Sequence, residues 1–224
     1  AVLAFLCGAL LVSSDDGGRR VMSVSILSLL AQSLFALLVS IPDLMEHGVV
    51  TNAYKEVDVG VSVTGVLIGT RKLYQHVHQQ PTLRLLDADI THGAASLSRF
   101  KRFHSVNSAL EVDLTGQVNA EAIGRDFLGT IGGQVDYVRA ASLSEGGRSI
   151  IALPSTARQS SRIVSRLSGP VTTARSDVDV IVTEHGSAHL RGLSGRDRAK
   201  ALIQIAAPEH RDALTQQAQE AGLL

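Results

Sequence analysis

The chain has 224 residues, 45% of them hydrophobic and 19% charged. That excludes disordered, collagen-like and disulfide-scaffold classes and allows one large domain or two small ones, of which one is expected. Basic and acidic residues number 21 each, so no long-range field draws nucleic acid. A single cysteine, Cys7, cannot form an internal disulfide, which fits a reducing, cytoplasmic setting. Without tryptophan and with 4% aromatics, the core must come from Leu, Val, Ile and Ala.

Residues Ala1–Val12 read as the middle of an apolar helix, and a chain that starts there looks like a fragment. Nothing basic precedes Arg19, so a signal peptide is not expected. Cys7 falls on this helix as a buried spectator. Ser13–Arg20 reads as a polar surface turn. Val21–Pro42 then carries no ionisable side chain, and Val24–Ile41 approaches the span of about 20 apolar residues that crosses a bilayer. Interspersed Ser23, Ser25, Ser28, Gln32, Ser33 and Ser40 argue against a membrane role, as does the lack of flanking Trp or Tyr. A buried strand leading into a buried helix, broken near Pro42, is the expectation.

From Asp43 the pattern becomes α/β. Asp43–His47 should close a helix at Gly48, Val61–Ile68 form a buried strand, and Gly69-Thr70 open a helix through Gln79, ended by Pro81. Leu83–Asp87 reads as a strand, Ala94–Phe103 as a basic helix, and Val106–Leu114, Ser149–Leu153 and Val178–Thr183 as strands. Ser194 and Asp197 have capping-box spacing for a helix to Ala207. Pro208 suits the first turn of a last helix ending near Gly222. Alternating strands and helices predict a mostly parallel sheet covered on both faces.

Several stretches have chemical potential. Gly129-Thr-Ile-Gly132-Gly133-Gln134 is a glycine-rich loop whose bare backbone can converge on an oxyanion or phosphate, and which equally suits a tight turn. Its spacing fits neither the dinucleotide nor the P-loop fingerprint. In an uninterrupted strand, Asn107, Ala109, Glu111 and Asp113 would share one face. The two carboxylates then make either an acid/base pair, or a solvated polar face or turn-forming side chains. His185 and His189 stand at i and i+4, but Gly186 follows His185 where a metalloprotease helix has Glu, so loop histidines and no metal site are expected. Neither Ser28 nor Ser155 has the setting of a nucleophile elbow.

Read together, six segments resemble the acetyl-CoA hydrolase and 4-hydroxybutyrate CoA-transferase family in its C-terminal half. They are residues 43–74, VNSALEVDLTGQVNAEAIG (106–124), GTIGGQVDYVR (129–139), GGRSIIALPSTA (146–157), 161–186 and LRGLSGRDRAKALIQIA (190–206). The resemblance implies a three-layer α/β/α fold and a single C-terminal domain over 1–224, with 1–42 divergent and apolar and the family's N-terminal domain absent. It implies CoA transfer between an acyl-CoA and a small carboxylate, or thioester hydrolysis, with coenzyme A as substrate and product and no permanent cofactor. A glutamate in such enzymes attacks the thioester and passes through anhydride and glutamyl-CoA intermediates. Backbone N–H groups of Gly132 and Gly133 would stabilise the oxyanion, Asn107 would orient the glutamate, and Gly129 and Gln134 would complete the CoA-binding loop. Partners would be an N-terminal CoA-transferase domain or subunit and possible further copies of the chain, with no nucleic acid or membrane.

The sequence departs from the family at the nucleophile. Counting back from Asp43 places Phe35 at the glutamate's position, and aligning the family serine with Ser28 places Leu29 there. Between Asp16 and Glu56 the carboxylates are Asp43 and Glu46, both in the following helix. Two expectations follow: an acyl-CoA site without its usual nucleophile, or a non-catalytic CoA-binding or subunit-interaction module.

Overall fold

A computed structural model describes residues 8–10, 42–67, 70–128 and 132–224. After strand β1 (Gly8–Leu10) and a helical turn at 42–46 come β2 (Ser62–Thr64), α1 (Arg71–Val77), β3 (Leu83–Leu85) and the short helices α2 (Ala88–Thr91) and α3 (Ala94–Leu97). The middle of the chain supplies β4 (His104–Ser108), β5 (Glu111–Asp113), β6 (Val118–Asn119), β7 (Ala122–Ile123) and β8 (Asp126–Phe127). Helix α4 (Gln134–Leu143) leads to β9 (Arg148–Ala152), the hairpin of β10 (Thr156–Ala157) and β11 (Ser160–Ser161), and β12 (Ile163–Val164). The chain continues through β13 (Val180–Thr183), β14 (Gly186–His189), α5 (Gly195–Ile205), a 3-10 turn at Pro208–His210 and α6 (Arg211–Glu220).

The fold is α/β. Its principal sheet runs β1-β4-β9-β13-β14, with β4, β9 and β13 parallel and an antiparallel strand at each edge. Ile151 and Ile181 on one face join Val138 of α4 and Leu202 and Ile203 of α5 in the main core. Each fully buried aliphatic side chain contributes about 1.5–3 kcal/mol. On the other face Ala152, Val180 and Val182 form a second buried cluster, so the central strands are covered on both sides, as the middle layer of an α/β/α stack requires. A smaller sheet, β12-β5-β6, sends Val112, Val118 and Ile163 into the main core.

Several expected elements stand where the sequence placed them. Gly48 has φ +67° after the 42–46 turn. Ser194 caps α5, its Oγ accepting from Asp197 N and donating to the Asp197 carboxylate. Gly222 ends the last helix region at φ +68°.

Other expectations need correction. Residues 8–10 are a strand paired with β4, not part of a helix, because a short apolar run has no period that separates the two. Cys7 and Val24–Ile41 lie outside the described residues. The single strand expected over Val106–Leu114 is two strands in different sheets, β4 and β5. Asn107, Ala109, Leu110, Glu111 and Val112 are all buried, so no alternation marks the break. The basic helix at 94–103 stops at Leu97, and Arg102, at φ +52°, turns the chain into β4. The strand at 61–68 is described only as Ser62–Thr64. Helix α4 was not anticipated.

Candidate active site

Parallel strands β4, β9 and β13 point their carboxyl ends to one edge of the sheet, where open α/β folds hold ligands. Helix α4 packs on β4 and β9 and joins β9 through residues 144–147, a connection so short that helix and strand must run antiparallel. Gly132-Gly133, just before α4, therefore comes to the same edge as Asn107, the penultimate residue of β4.

Asn107 is 2% exposed, and neither its Nδ2 nor its Oδ1 has a hydrogen-bond partner among the described residues. A buried amide left unpaired costs about 1–3 kcal/mol, and such exceptions call for a functional or ligand-related reason. Ser105 of β4 and Ser149 of β9, opposite each other in register, also have unpartnered hydroxyls. With Asn107 they make a polar stripe on one face of the sheet, running toward the carboxyl edge.

Gln134 is buried, and its Nε2 donates to Thr173 Oγ1 at 3.0 Å. Thr173 is bridged to Val118, so Gln134 ties the start of α4 to the smaller sheet. Gly129 lies outside the described residues.

The carboxylates of β5 are engaged structurally. Glu111 accepts from Ser168 N (2.9 Å), Ser168 Oγ (2.7 Å) and Asn119 Nδ2 (3.3 Å). Asp113 accepts from Thr115 N and Oγ1 and from Gln117 N and Nε2. Asp113 closes a local turn, Glu111 ties β5 to the distant Ser168 segment, and the two do not form an open acid/base pair. Arg162, beside Glu111, has its guanidinium pKa lowered by burial, with the Glu111 charge opposing the shift.

Two features of this edge were not singled out from sequence. Ser155, beyond β9, donates N–H (2.9 Å) and Oγ–H (2.6 Å) to the two carboxylate oxygens of Glu184, beyond β13. Burial works to raise the Glu184 pKa, but the Ser155 hydrogen bonds, its own backbone N–H and nearby His185 outweigh it and hold the group below the usual carboxylate value. The other feature is His92, whose ring lies against Gly133. A polar residue just past a buried parallel strand was a legible signal for Glu184. For His92 there was none, because its contacts join segments distant in sequence. His185 lies in the turn of the β13–β14 hairpin and His189 at the far end of β14, opposite Val180, and both are exposed, as surface or loop histidines would be; among the described residues no group of three or more His, Cys, Asp or Glu could hold a metal. Among the same residues no helix is long and apolar enough to cross a membrane.

The fold is that of an α/β domain, and its candidate site lies at the carboxyl ends of the parallel strands. The chain belongs to the acetyl-CoA hydrolase/transferase family: residues 69–218 match the model of its C-terminal domain. The 4-hydroxybutyrate coenzyme A transferase of Clostridium kluyveri is 43% identical over 176 residues, covering 77% of this chain and 41% of that protein. An acetyl-CoA hydrolase of Eremothecium gossypii is 29% identical over 181 residues, 77% of this chain and 32% of its own length. Among solved structures, RipA from Yersinia pestis superposes with a TM-score of 0.76 at 41% identity, covering 81% of this chain and 42% of RipA. A 4-hydroxybutyrate CoA-transferase from Porphyromonas gingivalis gives 0.69 at 35% identity, covering 80% and 42%. The chain thus spans less than half the length of these relatives.

Proposed function

We propose that this chain is the acyl-CoA-binding C-terminal part of a protein that moves CoA between an acyl-CoA and a small carboxylate, or hydrolyses the thioester. The observation that carries the reading is Asn107, buried at the carboxyl edge with both amide atoms unpartnered. An arriving carbonyl or carboxylate would satisfy Nδ2. The Gly132 and Gly133 N–H groups would stabilise charge on the thioester oxygen, a contribution of about 2.7–4 kcal/mol where such a donor has been removed. Gly129 would belong to the same loop, and Gln134, through Thr173, would hold it in register. Relatives with names citing 4-hydroxybutyrate, succinate with acetate, and butyrate with acetate support a short acyl chain and a small carboxylate acceptor. Coenzyme A is then substrate and product, and an N-terminal domain or subunit would supply the opposite wall of the site.

The usual glutamate nucleophile is missing from this reading. Phe35 or Leu29 stands at its position. Asp43 pairs with Lys72, and Glu46 lies 3.8 Å from His76. Glu184 is already engaged by Ser155. The chain is expected to bind acetyl-CoA without forming a covalent glutamyl adduct. Incubation with acetyl-CoA followed by intact-mass measurement should show no CoA-sized, borohydride-labile increment, and a stable adduct on Glu46, Glu111 or Glu184 would overturn this.

A second reading is a non-catalytic CoA-binding or subunit-interaction module. The β7–β8 hairpin favours it, since it and the next residue expose Ile123, Phe127 and Leu128, with Phe127 70% accessible. Thioester cleavage on mixing with a separately expressed N-terminal domain would count against the inert module.

A further inference from the structure

Gly133 has φ −76° and ψ 7°, a backbone conformation that does not require glycine. Space requires it: a Cβ at this position would fall 2.1 Å from Cδ2 and 2.7 Å from Nε2 of His92. On the other side of the ring, a Cβ on Gly65 would lie 3.2 Å from His92 Cε1 and 2.6 Å from Thr91 Oγ1. The imidazole is therefore seated between two bare stretches of backbone, one of them the loop that opens α4.

Neighbours fix the ring. Thr91 Oγ1 donates to the Asp87 carbonyl at 3.2 Å, and the same oxygen lies 2.9 Å from His92 Nδ1. A hydroxyl has one proton, so with that proton on Asp87 it is Nδ1–H that donates to Thr91. In the neutral ring this leaves Nε2, on the Gly133 side, unprotonated. Tyr137 of α4 stands 5.0 Å away, ring to ring, and donates its hydroxyl to the Thr91 carbonyl at 3.0 Å. The end of α2 and the start of α4 are thus locked together through His92, Thr91 and Tyr137.

We propose that His92 is the positioning residue of the acyl-thioester site: its ring sets how close the Gly132-Gly133 backbone lies to the carboxyl edge of β4, and so aims the Gly133 N–H. The proposal rests on the acyl-CoA reading above. A hydrogen-bond donor displaced by about 1 Å loses much of its effect on the reacting oxygen.

The test is a double-mutant cycle on the 224-residue chain. Gly133→Ala should lower the thermal midpoint strongly in the parent and much less in His92→Ala, where the nearest obstacle to the new Cβ is gone and the milder contact with Tyr137 Cε2, at 3.2 Å, remains. Equal losses in both backgrounds overturn the proposal. By calorimetry, His92→Ala should weaken acetyl-CoA binding about tenfold or more. His92→Gln, which reaches as far as Nε2, should recover most of that affinity, whereas His92→Asn, which stops at Nδ1, should not. Unchanged affinity in His92→Ala overturns the positioning role and leaves the acyl-CoA reading standing. If the parent binds no acetyl-CoA, the functional reading fails, and amide exchange still decides the geometry. The Gly133 N–H should then exchange about tenfold faster in His92→Ala than in the parent, and equal rates sink the proposal.

Discussion

On the proposed reading, function and stability pull against each other at Asn107. Its amide is enclosed by the fold and answered by nothing in it, so replacing it with an apolar side chain of similar size removes a desolvation penalty. Asn107→Leu is expected to stabilise the protein by about 1 kcal/mol in denaturant titration while eliminating acetyl-CoA binding. Destabilisation of similar size would mean that the amide is satisfied after all. Two titrating groups set the pH dependence. His104 has its pKa lowered from 6.5 by burial, with Arg148 and Arg102 adding repulsion. The unfolded state therefore takes up this proton first, and stability falls as pH drops below about 6.5 until the folded pKa is reached. Glu184, with its lowered pKa, acts in a more acidic window: its contribution is present above the unfolded value of 4.5 and lost as pH falls through the folded one. His104→Phe should flatten the first decline and Glu184→Gln the second, as read from urea midpoints between about pH 2 and 8.

At the scale of elements, the connection from α4 to β9 has no room for a side chain at Gly147. A Cβ on Gly147 would meet Ala141 O at 2.3 Å, Ser144 Cβ at 2.8 Å and Phe103 O at 2.9 Å, two of them backbone atoms that cannot swing away. Gly147→Ala is expected to cost about 1–3 kcal/mol by overpacking, checked by chemical denaturation. The sequence exposed the helices with local caps: Ser194 with Asp197, Gly48 and Gly222 each carry their signal within a turn. It concealed elements defined by distant partners. The chain leaves β4 for another sheet where consecutive residues on either side, 105–107 and 109–112, are buried, so period two has nothing to report. Helix α4 is masked by small residues such as Ala140 and Ala141, both 0% exposed, which pack closely without forming an apolar stripe. In the candidate site, Asn107 and Gly133 were legible through resemblance of their neighbours, whereas the reason for glycine at 133 lies in a ring 41 positions earlier in the chain.

Considered whole, the molecule gathers its site from connections that share an edge and little else. Gln134 reaches Thr173 across 39 residues, Tyr137 reaches Thr91 across 46, and Glu184 reaches Ser155 across 29. Each of these pairs joins segments far apart in the chain, and nonlocal pairing of that kind slows folding. During refolding from denaturant, recovery of helical signal in α5 and α6 should therefore run ahead of acetyl-CoA binding. A stopped-flow experiment in which ligand capture keeps pace with the earliest far-ultraviolet signal would contradict that order. The parallel arrangement of β4, β9 and β13 thus makes completion of the candidate site a late event in the life of each newly made chain.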